Sequence, residues 1–147
     1  MTIIKANINH LDQVAPLFDS YRVFYNQASD LKGAKQFLLE RFQNQDSIIY
    51  LAYSNDEAIG FTQLYPLFSS VAMTPMYLLN DLFVNSKHRG KGIGEALINK
   101  AKTLCTSEKN KGLALQTAFD NHAQYLYEKL DFIKETDLYY FWETPSI

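Results

Sequence analysis

A short apolar strand that runs directly into a basic, glycine-spaced turn is the feature that most restricts how this chain can fold. The segment extends from Asp81 to Leu97, and its middle carries three alternating glycines, at positions 90, 92 and 94. Apolar residues at helical spacing then predict a helix over residues 92–107. Because glycines lack side chains, the start of this helix exposes backbone N–H groups that have no partner within the helix. The helix dipole, Arg89 and Lys91 add positive charge, so the turn suits a phosphate or diphosphate.

Three phosphate-binding patterns compete for this turn. A Walker loop needs Lys followed by Ser or Thr after its last glycine, but Gly94 is followed by Glu95. A dinucleotide-binding fingerprint needs Gly or Ala at that same position. The third pattern, Arg-x-x-Gly-x-Gly after a strand, is met by Arg89, Gly92 and Gly94. The alternative is a strand-to-helix connection without a ligand, which is disfavoured because three glycines weaken a helix start.

Length and composition favour a single domain covering residues 1–147 with a substantial core, since 47% of the residues are apolar. The net charge of −2 gives no indication of a nucleic-acid partner. No apolar run reaches the 18 or so residues of a membrane span, and the N-terminus lacks the pattern of a secretion signal. The one cysteine, Cys105, excludes an intrachain disulfide and is interpreted as an inert core thiol. We therefore expect a cytoplasmic protein that binds neither nucleic acid nor membrane.

The order of predicted elements indicates a mixed α/β (α+β) fold. The predicted strands cover residues 2–6, 47–53, 58–66, 76–84, 113–119 and 137–143. The predicted helices cover residues 11–25, 32–43, 92–107 and 121–130. Residues 67–75 are either a connection or an extension of the preceding hairpin, and Pro66 is expected to end the regular part of its strand. One central sheet with helices on its faces follows, and the antiparallel hairpin argues against a wholly parallel sheet.

A second motif runs from Asp120 to Phe132 and resembles the segment Asn-x-x-Ala-x-x-Leu-Tyr-x-x-x-Gly-Phe of the GNAT superfamily of N-acetyltransferases. The turn from Arg89 to Gly94 resembles the same family's acetyl-coenzyme A diphosphate loop, and the order of elements is similar along nearly the whole chain. This resemblance implies the GNAT fold, a central mixed, mostly antiparallel sheet flanked by about four helices. It also implies an enzyme that transfers an acetyl group from acetyl-coenzyme A to an amine.

The resemblance implies positions for the cofactor. Backbone groups of Leu82, Phe83 and Val84 would meet the pantetheine arm, and the Val84 amide would polarise the acetyl carbonyl. Asn121 would bind the pantetheine or the mercapto end of the cofactor, and Tyr127 would place its hydroxyl near the thioester sulfur. The diphosphate would lie on a loop made of Arg89, Gly90, Lys91, Gly92, Ile93 and Gly94.

Two positions depart from the family pattern. The gap from Asn121 to Ala123 is one residue shorter than usual, so either Asn121 or Asp120 fills the family position. Asp131 stands where the family has glycine before Phe132. That glycine often adopts a left-handed backbone, which Asp tolerates better than most residues, so we expect a modest local cost.

Acetyl transfer to an amine requires loss of the amine proton, stabilisation of an oxyanion and protonation of the departing thiolate. Tyr127 is the candidate general acid, because a phenol with a reference pKa of about 10 is protonated at neutral pH. Tyr127 also lies on the apolar stripe of its predicted helix, so a role in the core is the alternative.

Asp81 is the candidate for handling the acceptor amine, and three roles are open to it. It could take the amine proton directly or through water, bind a second ammonium group of the substrate, or cap a neighbouring turn as a structural carboxylate. Its alternate neighbours Leu79 and Phe83 are apolar, so burial is expected to raise the pKa of Asp81.

A narrower resemblance bears on the acceptor. The segments Tyr21–Tyr25 and Tyr77–Val84 resemble the branch that holds polyamine and thialysine acetyltransferases and the yeast histone and D-amino-acid acetyltransferase-like proteins. This resemblance implies a homodimer and a small-molecule primary amine that is polyamine-, lysine- or amino-acid-like. The alternatives are protein or peptide N-acetylation and a non-catalytic acyl-coenzyme A sensor or interaction module. The aromatic run at residues 139–142 is expected to pack in the core or to pair across a twofold dimer.

The remaining polar and aromatic candidates carry weaker signals. Three histidines, at positions 10, 88 and 122, lack the spacing of a metal site, so solvated or capping roles are expected. Five tyrosines either belong to the core or line an amine pocket, where ring faces attract ammonium groups, namely those at positions 21, 25, 77, 139 and 140.

Overall fold

One five-stranded sheet organises the chain from Met1 to Gln116, with its strands in the order β1 to β5. The strands are β1 (Thr2–Lys5), β2 (Ile48–Ser54), β3 (Glu57–Ser69), β4 (Thr74–Val84) and β5 (Leu113–Ala114). Neighbours from β1 to β4 pair antiparallel, and β5 pairs parallel with β4. The mixed, mostly antiparallel sheet is therefore confirmed. The structure is a computed structural model that describes residues 1–146.

Four α-helices accompany the strands, and their bounds lie close to those predicted from apolar periodicity. The first unit contains α1 (Leu11–Phe24), α2 (Leu31–Asn44) and α3 (Ile93–Ser107). A second compact unit begins at Thr117 and contains α4 (Ala123–Lys129). None of the helices described is long and apolar enough to cross a membrane. The single domain predicted from chain length stays a prediction.

The two faces of the sheet are covered by different helices. Buried residues of α1 and α2, including Phe18 and Leu38, form one core with Leu51 and Phe61 of the sheet. On the other face, the hydroxyl of Tyr77 in β4 donates to Glu108 at the end of α3 at 2.7 Å. The buried stripe of α3 consists of Ile93, Leu97, Ile98, Ala101 and Cys105. Burial raises the pKa of the Cys105 thiol, in keeping with the core role expected for it.

The β3–β4 hairpin continues beyond residue 66, so of the two alternatives for residues 67–75, a connection or an extension of the hairpin, the structure shows the extension. Strand β3 continues through Pro66 to Ser69 with regular pairing to β4, so the prediction that Pro66 ends the regular part of the strand was wrong. The pairing of β2 with β3 ends opposite Leu64. Beyond that point β3 has an open edge, where the missing N–H of a proline removes no ladder hydrogen bond.

The two predicted C-terminal strands are the main errors. The strand expected at 113–119 is limited to Leu113–Ala114, and residues 137–143 form no strand among the residues described. Strand propensity reflects packing against a neighbour, so aromatic residues without a ladder partner do not make a strand. The side chains of residues 138–142 are 68–83% exposed, which excludes the expected core packing for Tyr139 and Tyr140. The predicted homodimer stays a prediction.

The end of α4 confirms the left-handed backbone expected at Asp131, which has a φ of 68°. The N–H of Asp131 donates to the Glu128 carbonyl at 3.1 Å, and the N–H of Phe132 donates to the Tyr127 carbonyl at 3.0 Å. These two bonds form a Schellman motif. The rings of Phe132 and Tyr127 lie 5.9 Å apart between centroids, so the motif also packs against Tyr127.

Replacing Asp131 with glycine is expected to stabilise this turn. A glycine adopts the φ of 68° without the steric cost that a Cβ imposes, so Asp131→Gly should raise the free energy of unfolding by about 0.5–1 kcal/mol. Equilibrium urea denaturation followed by circular dichroism measures the change. The control Glu128→Gly, inside α4, should lower stability instead. A lower midpoint for Asp131→Gly would contradict the cost assigned to this position.

Candidate active site

A β-bulge in β4 sets the direction of the central side chains. Gln63 pairs with Asp81, whereas the next residue, Leu64, pairs with Leu79, so Asn80 is the extra residue of β4. A bulge shifts the alternation of side chains by one residue. Before the bulge, Leu79 therefore faces α3. After the bulge, Asp81 faces the opposite side of the sheet, toward α1 and α2.

This shift corrects the surroundings predicted for Asp81. Strict alternation placed Leu79 and Phe83 on its face. Phe83 does lie there, in the core that α1 and α2 cover. Leu79 shares its face with Tyr77, whose hydroxyl bonds to the end of α3, and so lies on the opposite side of the sheet.

Asp81 is a buried carboxyl group with only neutral partners. It is 2% exposed, and it accepts hydrogen bonds from Gln63 Nε2 at 2.5 Å and Asn80 Nδ2 at 2.7 Å. No ion pair involves Asp81 among the described residues. Burial raises the pKa of Asp81, and the hydrogen bonds from Asn80 and Gln63 oppose part of this shift. The raised pKa expected from burial is therefore confirmed.

Gln63 adds an unpaired acceptor next to this carboxyl group. The residue is fully buried, and its Nε2 is engaged by Asp81. Its Oε1 has no hydrogen-bond partner in the part of the chain described. A buried polar atom without a partner is costly, so this oxygen calls for an explanation, and a ligand that donates to it is one. Asp81 and Gln63 together place buried acceptor oxygens side by side.

Tyrosines from two elements surround Asp81. Tyr21 of α1 donates its hydroxyl to the Asn80 carbonyl at 3.2 Å, and its ring centroid lies 5.0 Å from that of Tyr25. Burial, with a contribution from the charge of Asp81, raises the pKa of Tyr21 and of Tyr65. Both phenols therefore stay protonated at neutral pH.

Sequence reasoning nominated only part of this group. It nominated Tyr21 and Tyr25 but missed Tyr65 and Gln63. Their spacing on β3 suggests a shared face, but only the register of β3 with β4 places that face beside Asp81. The nominated Tyr77 lies on the other side of the sheet, bonded to Glu108.

One edge of β4 is open where the cofactor arm was expected. β5 pairs only with Tyr77 and Leu78, and no other described strand pairs along that edge. The N–H of Asn85 donates to the Ile59 carbonyl at 2.8 Å, so alternate residues of β4, including Phe83, point their backbone groups toward β3. The backbone groups of Leu82 and Val84 then point to the open edge.

The loop before α3 has the backbone form that its glycines predict. Gly90 and Gly92 have φ values of 76° and 79°, which side chains disfavour. A Cβ at either position would meet no atom within 4 Å, so conformation and not space requires glycine. Gly92 is the N-cap of α3, and because glycine has no side chain, it cannot accept a hydrogen bond from the N–H groups of the first turn. The first-turn N–H groups of Ile93 and Gly94 therefore lack a side-chain cap, and the exposed side chains of Arg89 and Lys91 add charge beside them.

Arg89 is held at the start of this loop. Its Nε donates to the Val84 carbonyl at 2.9 Å. Its guanidinium carbon lies 5.3 Å from the ring centroid of Phe24 and 5.4 Å from that of Phe83. The remaining N–H donors of the guanidinium are on its two terminal nitrogens.

The second unit contains the remaining predicted site residues. Asn121 is partly buried, and its Oδ1 accepts from the Ala123 N–H at 2.9 Å at the start of α4. Its side-chain oxygen therefore serves a local turn, while its side-chain NH₂ offers donors. Asp120 is exposed, and Tyr127 is half-buried.

The histidines do not form a metal site in the described residues, which hold no group of three or more His, Cys, Asp or Glu suited to a metal ion. His10 has the capping role expected for it, because its Nδ1 accepts from the Asn7 N–H at 3.0 Å.

Comparison with known proteins identifies the family. Residues 45–134 match the family model described as an acetyltransferase (GNAT) domain. The chain is 47% identical over 137 residues to YhfO of Bacillus subtilis (strain 168), described as an uncharacterized N-acetyltransferase, with 92% of each chain covered. It is 34% identical to a crystal structure of a "probable acetyltransferase", with a TM-score of 0.92 and 99% of both chains covered. The chain therefore belongs to the GNAT family. Within that family it is an N-acetyltransferase.

A more distant structure shows the same fold with a cofactor. The aminoglycoside N-acetyltransferase AAC(6')-Iy in complex with CoA is 21% identical and has a TM-score of 0.81. The alignment covers 99% of this chain and 95% of that one. At this identity the likeness concerns the fold alone.

Proposed function

We propose that this GNAT N-acetyltransferase transfers the acetyl group of acetyl-coenzyme A to a primary amine of a small molecule within a ternary complex. The observation that carries the acceptor class is Asp81, a buried carboxyl group without a cationic partner in the described chain. A primary amine is protonated at neutral pH and needs hydrogen-bond acceptors and ring faces around it. The unpaired Oε1 of Gln63 and the rings of Tyr21 and Tyr65 match those needs. Polyamine-like, lysine-like and amino-acid amines fit this chemistry.

The cofactor is proposed to lie along β4 and the loop before α3. Its diphosphate would take hydrogen bonds from the uncapped first turn of α3 and charge from Arg89 and Lys91. Its pantetheine arm would add to the open edge of β4 at Leu82 and Val84, as an extended peptide adds to a sheet. Asn121 would contribute its side-chain amide to the arm. The CoA complex of the structurally similar AAC(6')-Iy supports this choice of cofactor.

The proposed reaction is a direct attack. The amine nitrogen forms a bond to the thioester carbonyl carbon, and the Val84 N–H stabilises the oxyanion, an interaction worth about 3 kcal/mol in comparable sites. The carbon–sulfur bond then breaks, and Tyr127 donates its phenolic proton to the leaving thiolate. Asp81 either accepts the proton of the attacking amine, directly or through water, or holds a second ammonium group of the substrate while solvent water takes that proton. Alignment of the two bound substrates supplies about 7–11 kcal/mol of the barrier reduction when their geometry is good.

Turnover across an acceptor panel tests the proposal. Free-thiol release from acetyl-coenzyme A should be fastest with small primary amines such as diamines and lysine analogues. Faster thiol release with peptides that have a free N-terminus would contradict a small-molecule acceptor and support protein or peptide N-acetylation. Binding of coenzyme A without turnover of any amine would support a non-catalytic sensor instead.

The glycine at the N-cap of α3 gives a separate test of the cofactor loop. Gly92→Val should weaken coenzyme A binding at least tenfold, because a β-branched residue disfavours a φ of 79° and displaces the first-turn N–H groups. Isothermal titration calorimetry measures the dissociation constant. Gly112→Val is the matched control, since Gly112 also has a positive φ, 150°, but lies outside the loop. A folded Gly92→Val variant with wild-type affinity would remove the diphosphate from this loop.

A further inference from the structure

The last turn of α1 and its C-cap, Tyr25, expose three consecutive large apolar side chains. Val23, Phe24 and Tyr25 are 47%, 56% and 47% exposed. Tyr25 packs edge-on to Tyr21, whose hydroxyl and ring belong to the surroundings of Asp81. Phe24 has a different neighbour, because its ring lies against the guanidinium of Arg89. The exposed ring of Phe24 is therefore in contact with the proposed cofactor loop.

The contacts of Arg89 restrict its long side chain. The Nε bond to the Val84 carbonyl fixes the root of the guanidinium, and the rings of Phe24 and Phe83 lie within cation–π distance of its central carbon. A free arginine would lose rotamer freedom on binding a diphosphate. In this arrangement much of that freedom is already lost before the ligand arrives.

The chemical nature of the groups around Arg89 determines whether its charge and its N–H donors stay available for a ligand. A carboxylate beside Arg89 would offset its charge and compete with a diphosphate for its donors. No carboxylate lies within ion-pair distance of Arg89 among the described residues. Aromatic rings hold a guanidinium through their faces and use none of its N–H donors. The group thus keeps its positive charge and the donors of its terminal nitrogens.

We propose that Phe24 is a positioning residue for the cofactor, its ring holding the Arg89 guanidinium in the orientation that binds the diphosphate of acetyl-coenzyme A. This role rests on the proposed function, in which the loop from Arg89 to Gly94 holds that diphosphate. The last turn of α1 then serves both substrates, with Phe24 at the cofactor loop and Tyr21 and Tyr25 on the acceptor side.

Removing the ring while keeping an apolar side chain tests the role. Phe24→Leu should raise the dissociation constant of coenzyme A about two- to five-fold, the range of an exposed cation–π contact. Phe24→Tyr restores a ring face and should restore the affinity. Val23→Ala changes the neighbouring exposed residue, which has no ring to hold a guanidinium, and should bind as the wild type does.

A thioester without a diphosphate separates positioning from a general effect on the site. Phe24→Leu should raise KM for acetyl-coenzyme A but leave kcat/KM for S-acetylpantetheine unchanged, since the latter carries no group for Arg89 to hold. Equal losses with both thioesters would mean a structural role for Phe24 and would overturn the proposal. Wild-type affinity in Phe24→Leu, together with weakened binding in Arg89→Ala, would overturn this role alone. Wild-type affinity in Arg89→Ala would count against both this role and the proposed cofactor loop.

Discussion

The variant Asp81→Asn is expected to lower kcat/KM for the acceptor amine about a hundredfold and to leave coenzyme A affinity unchanged. The substitution keeps the shape of the side chain but removes the charge, and loss of a general base or of a charged hydrogen-bond partner has effects of about this size. Steady-state thiol release with a saturating thioester measures it. Wild-type kcat/KM in the variant would assign Asp81 a structural role.

The pH dependence distinguishes the two functional roles of Asp81. Burial raises the pKa of this carboxyl group, and only the ionised form accepts a proton. If Asp81 is the base, the wild-type rate should therefore rise with pH through the raised pKa, and Asp81→Asn should lose this acidic limb. A higher KM for the amine with an unchanged pH profile of kcat would instead make Asp81 a ligand for an ammonium group.

Stability measurements provide the control for this variant. Because the folded state has the raised pKa, it holds the Asp81 proton more tightly than the unfolded chain does. The free energy of unfolding therefore falls as pH rises from the ordinary carboxyl pKa of the unfolded chain through the raised pKa of Asp81 in the folded state. Asp81→Asn lacks this loss, so its unfolding midpoint at neutral pH should equal or exceed that of the wild type. Low activity in a protein of equal stability would then report on chemistry.

The variant Tyr127→Phe is expected to lower kcat at least tenfold at the optimum pH while retaining the fold. Phenylalanine lacks the hydroxyl proton proposed for the leaving thiolate. The fold should persist because two contacts of this residue do not need the hydroxyl, namely the hydrogen bond from the Phe132 N–H to its carbonyl and the ring contact with Phe132. Tyr125→Phe is the matched control on the same helix, because Tyr125 is 73% exposed and has no proposed role.

The leaving group gives a sharper measurement for Tyr127. A thioester of a more acidic thiol needs less protonation as its carbon–sulfur bond breaks. The gap in kcat between wild type and Tyr127→Phe should therefore narrow with an acetyl thioester of an aryl thiol. An equal gap with both thioesters would contradict a general acid, and an unchanged kcat would remove Tyr127 from the reaction.

Local features of the sequence predicted most of the elements. Apolar periodicity placed the four helices within a few residues of their observed bounds, because the side that each helix buries depends on its own spacing. The glycine turn and Asp131 were predicted for a similar reason. A left-handed backbone at Gly90, Gly92 or Asp131 is a property of one residue and its neighbours in the chain.

Pairing between strands that are distant in the sequence decided the features that local patterns did not predict. The extra residue Asn80 in β4 determines which side of the sheet Asp81 faces, and the register of β3 places Gln63 beside it. Strand register depends on partners distant in sequence, so a period of two cannot reveal a bulge. For the same reason, the strand propensity of residues 137–143 did not show that a ladder partner was lacking among the described residues.

The sequence by itself thus determined the order of the elements, the glycine loop before α3 and membership of the GNAT family. The tertiary structure alone brought an aromatic ring from α1 against Arg89 and tyrosines from α1 and β3 around the carboxyl group of Asp81. The physical reason is that backbone conformation follows from neighbouring residues, whereas the surroundings of a side chain depend on how distant segments pack.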